Sequence, residues 1–333
     1  MMDLKGVFTD RHYQDWPSWH IVYEWEDELS HALHLPLKNS PEGSKHVLYN
    51  MFKHIDHKVF NGGVGRMIAD WGHRDKGCCL YFEMCAKRYK SFSNSRRTIP
   101  VIIDFWDKEG IERFKKLYAD CPYLLVTSLE VLNFLKTNQV RNNLIHFPMT
   151  LPSMYRLNPA QSFDKKIDII LAGRKNPVLW NFLKQYEAAH PDVEYLHQIR
   201  KDGELYYESN KKGIVGKFHT RREYMNLLKT AKVAFYATPG MDGGERRTGG
   251  FNPVTPRLFE LLSGGCHIIA RYPKTVETDY YRLDEICPSI TTYPAFESQL
   301  SNALKSSPPT EANAAYLKDF YTSINVELLK KMM

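Results

Sequence analysis

The chain has 333 residues, a formal net charge of +7 and 43% hydrophobic residues, a composition typical of a globular protein of about two domains. The basic excess is spread evenly over both halves, which argues against a nucleic-acid-binding tail. No signal peptide or apolar run of ~20 residues is present, and the six cysteines form no C-x-x-C pair, so we expect reduced thiols and a cytoplasmic protein.

The first half alternates short apolar strands with helical segments. The alternation is clearest between residues 100 and 150. Nearer the start of the chain, residues 7–9 indicate a strand and residues 26–34 a helix. Later strands are predicted at residues 100–105, 123–127 and 144–148, with helices at 111–118 and 129–136. Strands that alternate with helices are typical of a parallel sheet.

The second half repeats this pattern after a proline-containing linker at residues 151–165. Strands are predicted at 168–172, 193–196, 233–237 and 267–270, with helices at 178–189, 221–231, 258–262 and 311–333. Ligands of parallel sheets bind beyond the carboxyl ends of the strands. The turn 173–176 and the loop 240–250 both follow strands, so we expect them to converge on one ligand.

The most informative segment lies between Phe235 and Ala270. A glycine-rich loop carries Arg246 and Arg247, and a helix with Arg257 and Glu260 in its first turns follows. Helix N-termini and cationic side chains favour anions, and a carboxylate one turn further on can bind sugar hydroxyls. We therefore expect a nucleotide with a phosphate tail and a ribose or sugar.

This segment resembles the donor-binding region of GT-B glycosyltransferases, especially the "glycosyl transferases group 1" or family 4 type. The matching residues are Arg257, Phe259, Glu260, Gly264 and Gly265. The resemblance implies an α/β fold of two Rossmann-like domains that face each other across a cleft. It implies an N-terminal acceptor domain at 1–155, a nucleotide-sugar donor domain at 156–307, and a C-terminal helix at 308–333 that crosses back to the first domain.

The resemblance also implies a donor site, with Glu260 holding ribose or sugar hydroxyls. The family's first glutamate is replaced here by Asn252, which weakens any assignment of a retaining mechanism. The expected donor-binding residues are Gly173, Arg174, Lys175, Arg246, Arg247, Asn252, Thr255, Arg257 and Glu260. Gly62 and Gly63 are candidates for an acceptor or phosphate loop, with an ordinary turn as the alternative. No metal ligand set is evident, so we expect metal-independent transfer without a cofactor.

A general base is needed if the enzyme inverts anomeric configuration. Asp104 and Asp107 flank Trp106 after a strand and are the candidate catalytic bases. Asp10 and His12 are the second choice for this role. For Asp107, a role in capping a helix is the competing interpretation.

The expected function is transfer of a sugar from a nucleotide-sugar to an acceptor hydroxyl of a glycan or lipid-linked acceptor, in bacterial surface polysaccharide or glycan synthesis. A basic cluster could contact the inner face of a membrane peripherally, or it could be a solvated surface; it comprises Lys87, Arg88, Lys90, Arg96 and Arg97. Two alternatives stay open. One is a nucleotide-sugar epimerase on the same fold, and the other is a non-catalytic nucleotide- or glycan-binding scaffold.

Overall fold

The computed structural model describes residues 3–40, 55–56, 59–60, 64, 77–86, 96–218 and 220–333. The chain divides into two compact units. The first unit contains the described residues up to Pro148, together with Arg247–Gly249 and Thr322–Met333. The second unit contains Met149–Arg246 and Gly250–Tyr321.

The first unit is built on a six-stranded sheet. Its strands are β1 Leu4–Thr9, β2 Leu37–Asn39, β3 Cys78–Cys85, β4 Thr98–Asp104, β5 Tyr123–Val126 and β6 Asn143–His146. Its helices in the described ranges are α1 His20–Ala32, α2 Ile111–Tyr118, α3 Leu129–Thr137 and, from the end of the chain, α11 Ser323–Met332. The spatial order is β2-β1-β3-β4-β5-β6, and every neighbouring pair is parallel.

The sheet of the first unit is buried because its central strands are nearly continuous apolar runs. Six consecutive residues of β4, from Thr98 to Ile103, are buried. A strand buried on both faces is typical of a parallel sheet covered by helices. The ladder order changes direction at β1, since β2 lies on one side of it and β3 on the other.

The second unit is built on another six-stranded sheet. Its strands are β7 Ile167–Leu171, β8 Tyr195–Lys201, β9 Glu204–Ser209, β10 Gly213–Gly216, β11 Ala231–Ala237 and β12 His267–Arg271. Its helices are α4 Pro177–Ala189, α5 Arg221–Lys229, α6 Pro256–Ser263, α7 Val276–Tyr280, α8 Leu283–Ile286, α9 Tyr293–Lys305 and α10 Thr310–Leu317. The spatial order is β10-β9-β8-β7-β11-β12. The neighbouring pairs β8–β7, β7–β11 and β11–β12 are parallel, whereas β10–β9 and β9–β8 are antiparallel.

One hydrophobic core lies on a face of this second sheet. Leu183 of α4 and Leu300 of α9 are fully buried and belong to the same hydrophobic cluster as Phe235 of β11. Phe296 of α9 lies 5.5 Å from Phe235, measured between ring centroids. Burial of each such side chain stabilises the fold by roughly 1.5–3 kcal/mol. This packing fixes the carboxyl ends of β7 and β11, from which the candidate site is built.

Most predicted strands of the parallel sheets are confirmed, but three features differ. The helix expected at 26–34 begins at His20, after a 3₁₀ turn at Pro17–Trp19. The prediction of a single helix at 311–333 is wrong, because two helices, α10 and α11, occupy this stretch. Between them the chain is not helical, and the Phe320 carbonyl accepts a hydrogen bond from the Leu151 amide. The antiparallel hairpin β9–β10 was not predicted. No helix within the described ranges is both long and apolar enough to span a bilayer.

Candidate functional site

A glycine shapes the turn that follows β7. Gly173 has a backbone φ of +88°, a conformation that costs other residues free energy. A Cβ at this position would overlap the guanidinium of Arg257. The first turn of α6 thus places the Arg257 side chain directly over the backbone at the carboxyl end of β7.

Arg257 is partly buried, and its charge has no acidic partner among the residues that the structure describes. No hydrogen bond or ion pair joins it to another residue in the ranges that the structure describes. Its charge interacts electrostatically with three nearby tyrosines, Tyr207, Tyr224 and Tyr236. Burial raises the pKa of all three, to about 12 for Tyr236, so they are neutral hydroxyls and leave the cation unpaired.

The N-terminus of α6 lacks a side-chain cap. Thr255 occupies the N-cap position but makes no capping hydrogen bond, and Pro256 has no amide hydrogen. By contrast, the side chain of Asn176 caps α4 and that of Thr220 caps α5. In the described part of the chain, the Leu258 amide of this first turn donates to the Thr255 carbonyl at 3.1 Å, so the amide that stays open is that of Arg257, which also carries the unpaired guanidinium. An open amide at a helix N-terminus favours a negative charge. This end of α6 is therefore suited to a phosphate.

Glu260, one turn further along α6, has two protein partners. Its Oε1 accepts a hydrogen bond from Arg221 Nη1 at 2.7 Å, and its Oε2 accepts one from the Tyr224 hydroxyl at 3.0 Å. The Arg221 and Glu260 side chains are only 14% and 7% exposed. The carboxylate thus connects α6 to α5. Its expected contact with ribose or sugar hydroxyls stays a prediction, and it would use the remaining lone pairs of these oxygens.

The two cations after Gly173 point to different partners. Arg174 is half exposed, and its Nη2 lies 3.4 Å from Glu245 Oε2. The ammonium of Lys175 lies 4.2 Å from the centre of the Trp180 ring, and burial lowers the pKa of Lys175. Arg174 already has a carboxylate beside it, so a phosphate would have to compete with Glu245 for this guanidinium.

The loop after β11 is held by a partly buried carboxylate. Asp242 accepts hydrogen bonds from Arg271 Nε at 2.5 Å and Nη2 at 2.8 Å, and from Asn176 Nδ2 at 2.8 Å. Burial alone would raise the pKa of Asp242, but the hydrogen bonds from Arg271 and Asn176 outweigh it and lower the pKa. The start of this loop is therefore tied to β12 and α4. Asp242 and Arg271 are 29 residues apart, and no local sequence pattern predicts that they pair.

The rest of the loop presents its two arginines at the surface. Arg246 and Arg247 are both exposed, and the Arg247 guanidinium lies 4.7 Å from the centre of the Trp106 ring. Asn252 is buried, and its amide oxygen accepts a hydrogen bond from the Thr238 hydroxyl at 2.8 Å. The structure thus brings Gly173, Thr255 and Arg257 together, and gives Asn252 a hydrogen bond within the loop.

Comparisons with known proteins identify the fold. No family profile and no curated protein sequence matches the chain. Among solved structures, a protein assigned as a UDP-N-acetylglucosamine 2-epimerase from Listeria monocytogenes gives a TM-score of 0.53 at 8% identity, over 99% of this chain and 95% of that one. A trehalose-phosphate synthase (UDP-forming) from Burkholderia vietnamiensis gives 0.52 at 8% identity, over 97% and 86%.

The equivalent synthase from Burkholderia xenovorans gives a TM-score of 0.51 at 11% identity, over 97% of this chain and 83% of that one. The fold is that of the GT-B glycosyltransferases. The predicted α/β fold class is thereby confirmed, and identities of this size establish the fold alone. The chain spans 55% of the length of the matched chain from the GtfA/B complex.

In the first unit of this GT-B fold, the two candidate bases lie at the end of β4. Asp104 is the last residue of β4 and is partly buried. Asp107 forms an ion pair with Arg113 and accepts a hydrogen bond from the Gly110 amide at 2.9 Å. Gly110 is the N-cap of α2, so Asp107 stabilises the start of that helix.

Some expected sites cannot be placed. Gly62 and Gly63 lie outside the described residues, as do Lys87, Arg88 and Lys90 of the basic cluster. Of the remaining two, Arg96 is exposed and Arg97 is partly buried.

A polar cluster at the end of β1 was only partly anticipated. Asp10 is 7% exposed and accepts hydrogen bonds from the hydroxyls of Ser40 and Tyr81. Glu26 of α1 is 1% exposed, and burial raises its pKa to about 8 in spite of opposing contacts with Thr9 and Arg11. No sequence pattern marks this cluster, because its members come from separate strands and a helix.

Proposed function

We propose that this protein is a glycosyltransferase that moves a sugar from a nucleotide-sugar donor to an acceptor hydroxyl, in bacterial surface polysaccharide or glycan synthesis. The observation that carries the proposal is the guanidinium of Arg257, which has no ion-pair partner in the described part of the chain and belongs to an N-terminus of α6 without a side-chain cap. Two of the similar structures are named for reactions of UDP compounds, which is consistent with a diphosphate at this position.

The chemistry follows from charge. The nucleoside diphosphate gains negative charge as the bond to the sugar breaks, and donors fixed in advance at that point lower the barrier. The guanidinium and the backbone amide of Arg257 would supply this stabilisation without a metal ion, and Arg246 could add a second cation from the loop. The nucleotide-sugar is a substrate, so the proposal needs no cofactor. The proposed setting is the cytoplasm, with a glycan or lipid-linked acceptor.

The proposal is tested by ligand-induced stabilisation. UDP, GDP, CDP, ADP and NAD are each added to the wild type, to Arg257→Ala, and to Arg222→Ala as a matched control. Arg222 is an exposed arginine in the first turn of α5, so both variants lose one positive charge from the second unit. A ligand at a hundred times its Kd should stabilise the fold by about 2.7 kcal/mol.

We expect one nucleoside diphosphate to raise Tm in the wild type and in Arg222→Ala. Arg257→Ala should weaken this binding about tenfold or more, because a charge-assisted hydrogen bond contributes roughly 1.5–3 kcal/mol. Stabilisation by NAD alone, or by no diphosphate, would reject the proposal. Incubation of the matching nucleotide-sugar with and without glycan acceptors then separates the alternatives. An isomerised sugar without acceptor indicates an epimerase, and binding without turnover indicates a scaffold.

A further inference from the structure

A segment after β1 exposes aromatic rings to solvent. Residues 12–18 are all exposed, and among them Tyr13 is 38% and Trp16 is 46% exposed. Large aromatic rings normally lie in a core, where they bury 150–250 Å² each. Two exposed rings within four residues make this segment a candidate binding surface.

Hydrogen bonds hold the backbone of this segment in place. The amides of Tyr13 and Gln14 donate to the Asp10 carbonyl at 2.8 and 3.0 Å, and the Trp19 amide donates to the Trp16 carbonyl at 2.8 Å. The segment is also tied to α1, because the Tyr23 hydroxyl donates to the Gln14 carbonyl at 2.5 Å. A surface fixed in this way loses little conformational freedom on binding a ligand.

The position of the segment in the sheet also indicates a ligand site. It follows the carboxyl end of β1, which lies between β2 and β3 in the order β2-β1-β3-β4-β5-β6. The direction of the strand order reverses there, and open α/β sheets bind ligands outside the carboxyl ends of the strands at such a point.

The charges of the segment favour a neutral polyhydroxyl ligand over an anionic surface. Residues 12–23 include no Lys or Arg, and the neighbouring Arg11 is committed to Asp27 at 2.7 Å. The side chain of Asp15 is fully exposed, with its Oδ1 at 3.4 Å from His20 Nε2. An exposed carboxylate in a stretch of sequence without lysine or arginine disfavours anionic lipid, whereas carboxylate and imidazole groups hydrogen-bond to hydroxyls.

We propose that Tyr13 and Trp16 form a platform for a pyranose ring of a neutral glycan, with Asp15 and His20 binding its hydroxyls. The C–H faces of a pyranose are apolar and its rim is polar, which matches rings that have an apolar face beside polar groups. The description of this glycan as the acceptor rests on the proposed function, whereas the binding of the sugar does not.

Saturation-transfer NMR tests the platform with a panel of neutral di- and trisaccharides of glucose, galactose, mannose and N-acetylglucosamine. The proteins are the wild type, Trp16→Ala, Trp16→Phe and the control Met154→Ala, which removes an apolar side chain that is 73% exposed elsewhere. We expect saturable binding of at least one sugar by the wild type. Trp16→Ala should raise its Kd about tenfold, Trp16→Phe about threefold or less, and Met154→Ala should leave it unchanged.

The outcomes separate this inference from the proposed function. Trp16→Ala should keep the stabilisation by nucleoside diphosphate, so loss of diphosphate binding by Arg257→Ala and loss of sugar binding by Trp16→Ala are independent results. Binding of no sugar in the panel, or binding that neither Trp16→Ala nor Tyr13→Ala weakens, overturns the inference. Binding to phosphatidylcholine–phosphatidylserine vesicles that Trp16→Ala abolishes, without sugar binding, overturns it in favour of a membrane contact.

Discussion

The guanidinium of Arg257 fills the space that a side chain on Gly173 would need. The two residues are 84 positions apart, yet the absence of a Cβ on one determines where the cation of the other lies. Gly173 also has a positive φ, so two separate requirements select glycine at this position. The proposed donor site depends on the close contact between the Arg257 guanidinium and the Gly173 backbone, because this contact holds the cation over the carboxyl end of β7.

A Gly173→Ala variant should lose diphosphate affinity by about tenfold, because the new methyl group displaces Arg257. Gly203→Ala is the matched control, since Gly203 has a similar φ of +82° and a Cβ there would have no atom within 4 Å. Both variants should lose about 1 kcal/mol of folding free energy from the positive φ. Denaturant titration and calorimetric binding of the diphosphate measure the two effects. Equal affinities in the two variants would contradict the role given to Arg257.

The Glu260–Arg221 pair predicts a large loss of stability on truncation. Glu260→Ala should lower the free energy of unfolding by about 3 kcal/mol, because it removes the carboxylate from a buried guanidinium. The control Glu285→Ala should change it by less than about 0.5 kcal/mol, since Glu285 is 65% exposed and lies 3.8 Å from Arg282. Urea unfolding monitored by fluorescence gives both values. A loss below about 1 kcal/mol for Glu260→Ala would show that this ion pair contributes little to the free energy of unfolding.

The Asp242 carboxylate predicts a loss of stability in acid. Its pKa is lower in the folded protein than in the unfolded chain, so its contribution is complete above an unfolded pKa of about 3.9 and is lost as pH falls through the folded pKa. Asp242→Asn should be about 2 kcal/mol less stable at pH 7, and its deficit relative to the wild type should shrink below about pH 4. Asp192→Asn, at an exposed position, is the control. A deficit that is independent of pH would contradict this assignment.

The elements of the GT-B fold could be predicted from sequence wherever strands are continuous apolar runs. The strand predicted at 233–237 before the glycine-rich loop runs from Ala231 to Ala237, and the helix predicted at 258–262 runs from Pro256 to Ser263. The hairpin of β9 and β10 escaped prediction because its residues are mostly polar or exposed. Local hydrophobicity is informative for buried parallel strands and weak for antiparallel edge strands.

The candidate site was less predictable than the fold, because pairing between distant residues decides which charges are available. The sequence gives Arg174, Arg257 and Arg271 the same formal charge. In the structure Glu245 lies beside Arg174 and Asp242 binds Arg271, whereas Arg257 has no such partner in the described part of the chain. Glycine spacing indicated a loop, but it could not show which of these cations would be open to a ligand.

The raised pKa of the buried Glu26 carboxyl predicts that the free energy of unfolding falls as pH rises. Its pKa is about 8 in the folded protein against an ordinary 4.5, so between these values the folded state holds a proton that the unfolded chain has released. The free energy of unfolding should therefore decline by up to roughly 1.4 kcal/mol per pH unit between about pH 4.5 and 8, and the decline due to Glu26 should end above pH 8.

Glu26→Gln should remove this decline, since a neutral amide does not titrate, and Tm should then vary less between pH 6 and 8.5 than in the wild type. Glu327→Gln is the control, because Glu327 is 62% exposed on α11. Thermal unfolding of the three proteins across this pH range measures the slopes. An unchanged slope in Glu26→Gln would mean that Glu26 is already ionised at neutral pH, with Arg11 at 3.5 Å compensating its burial.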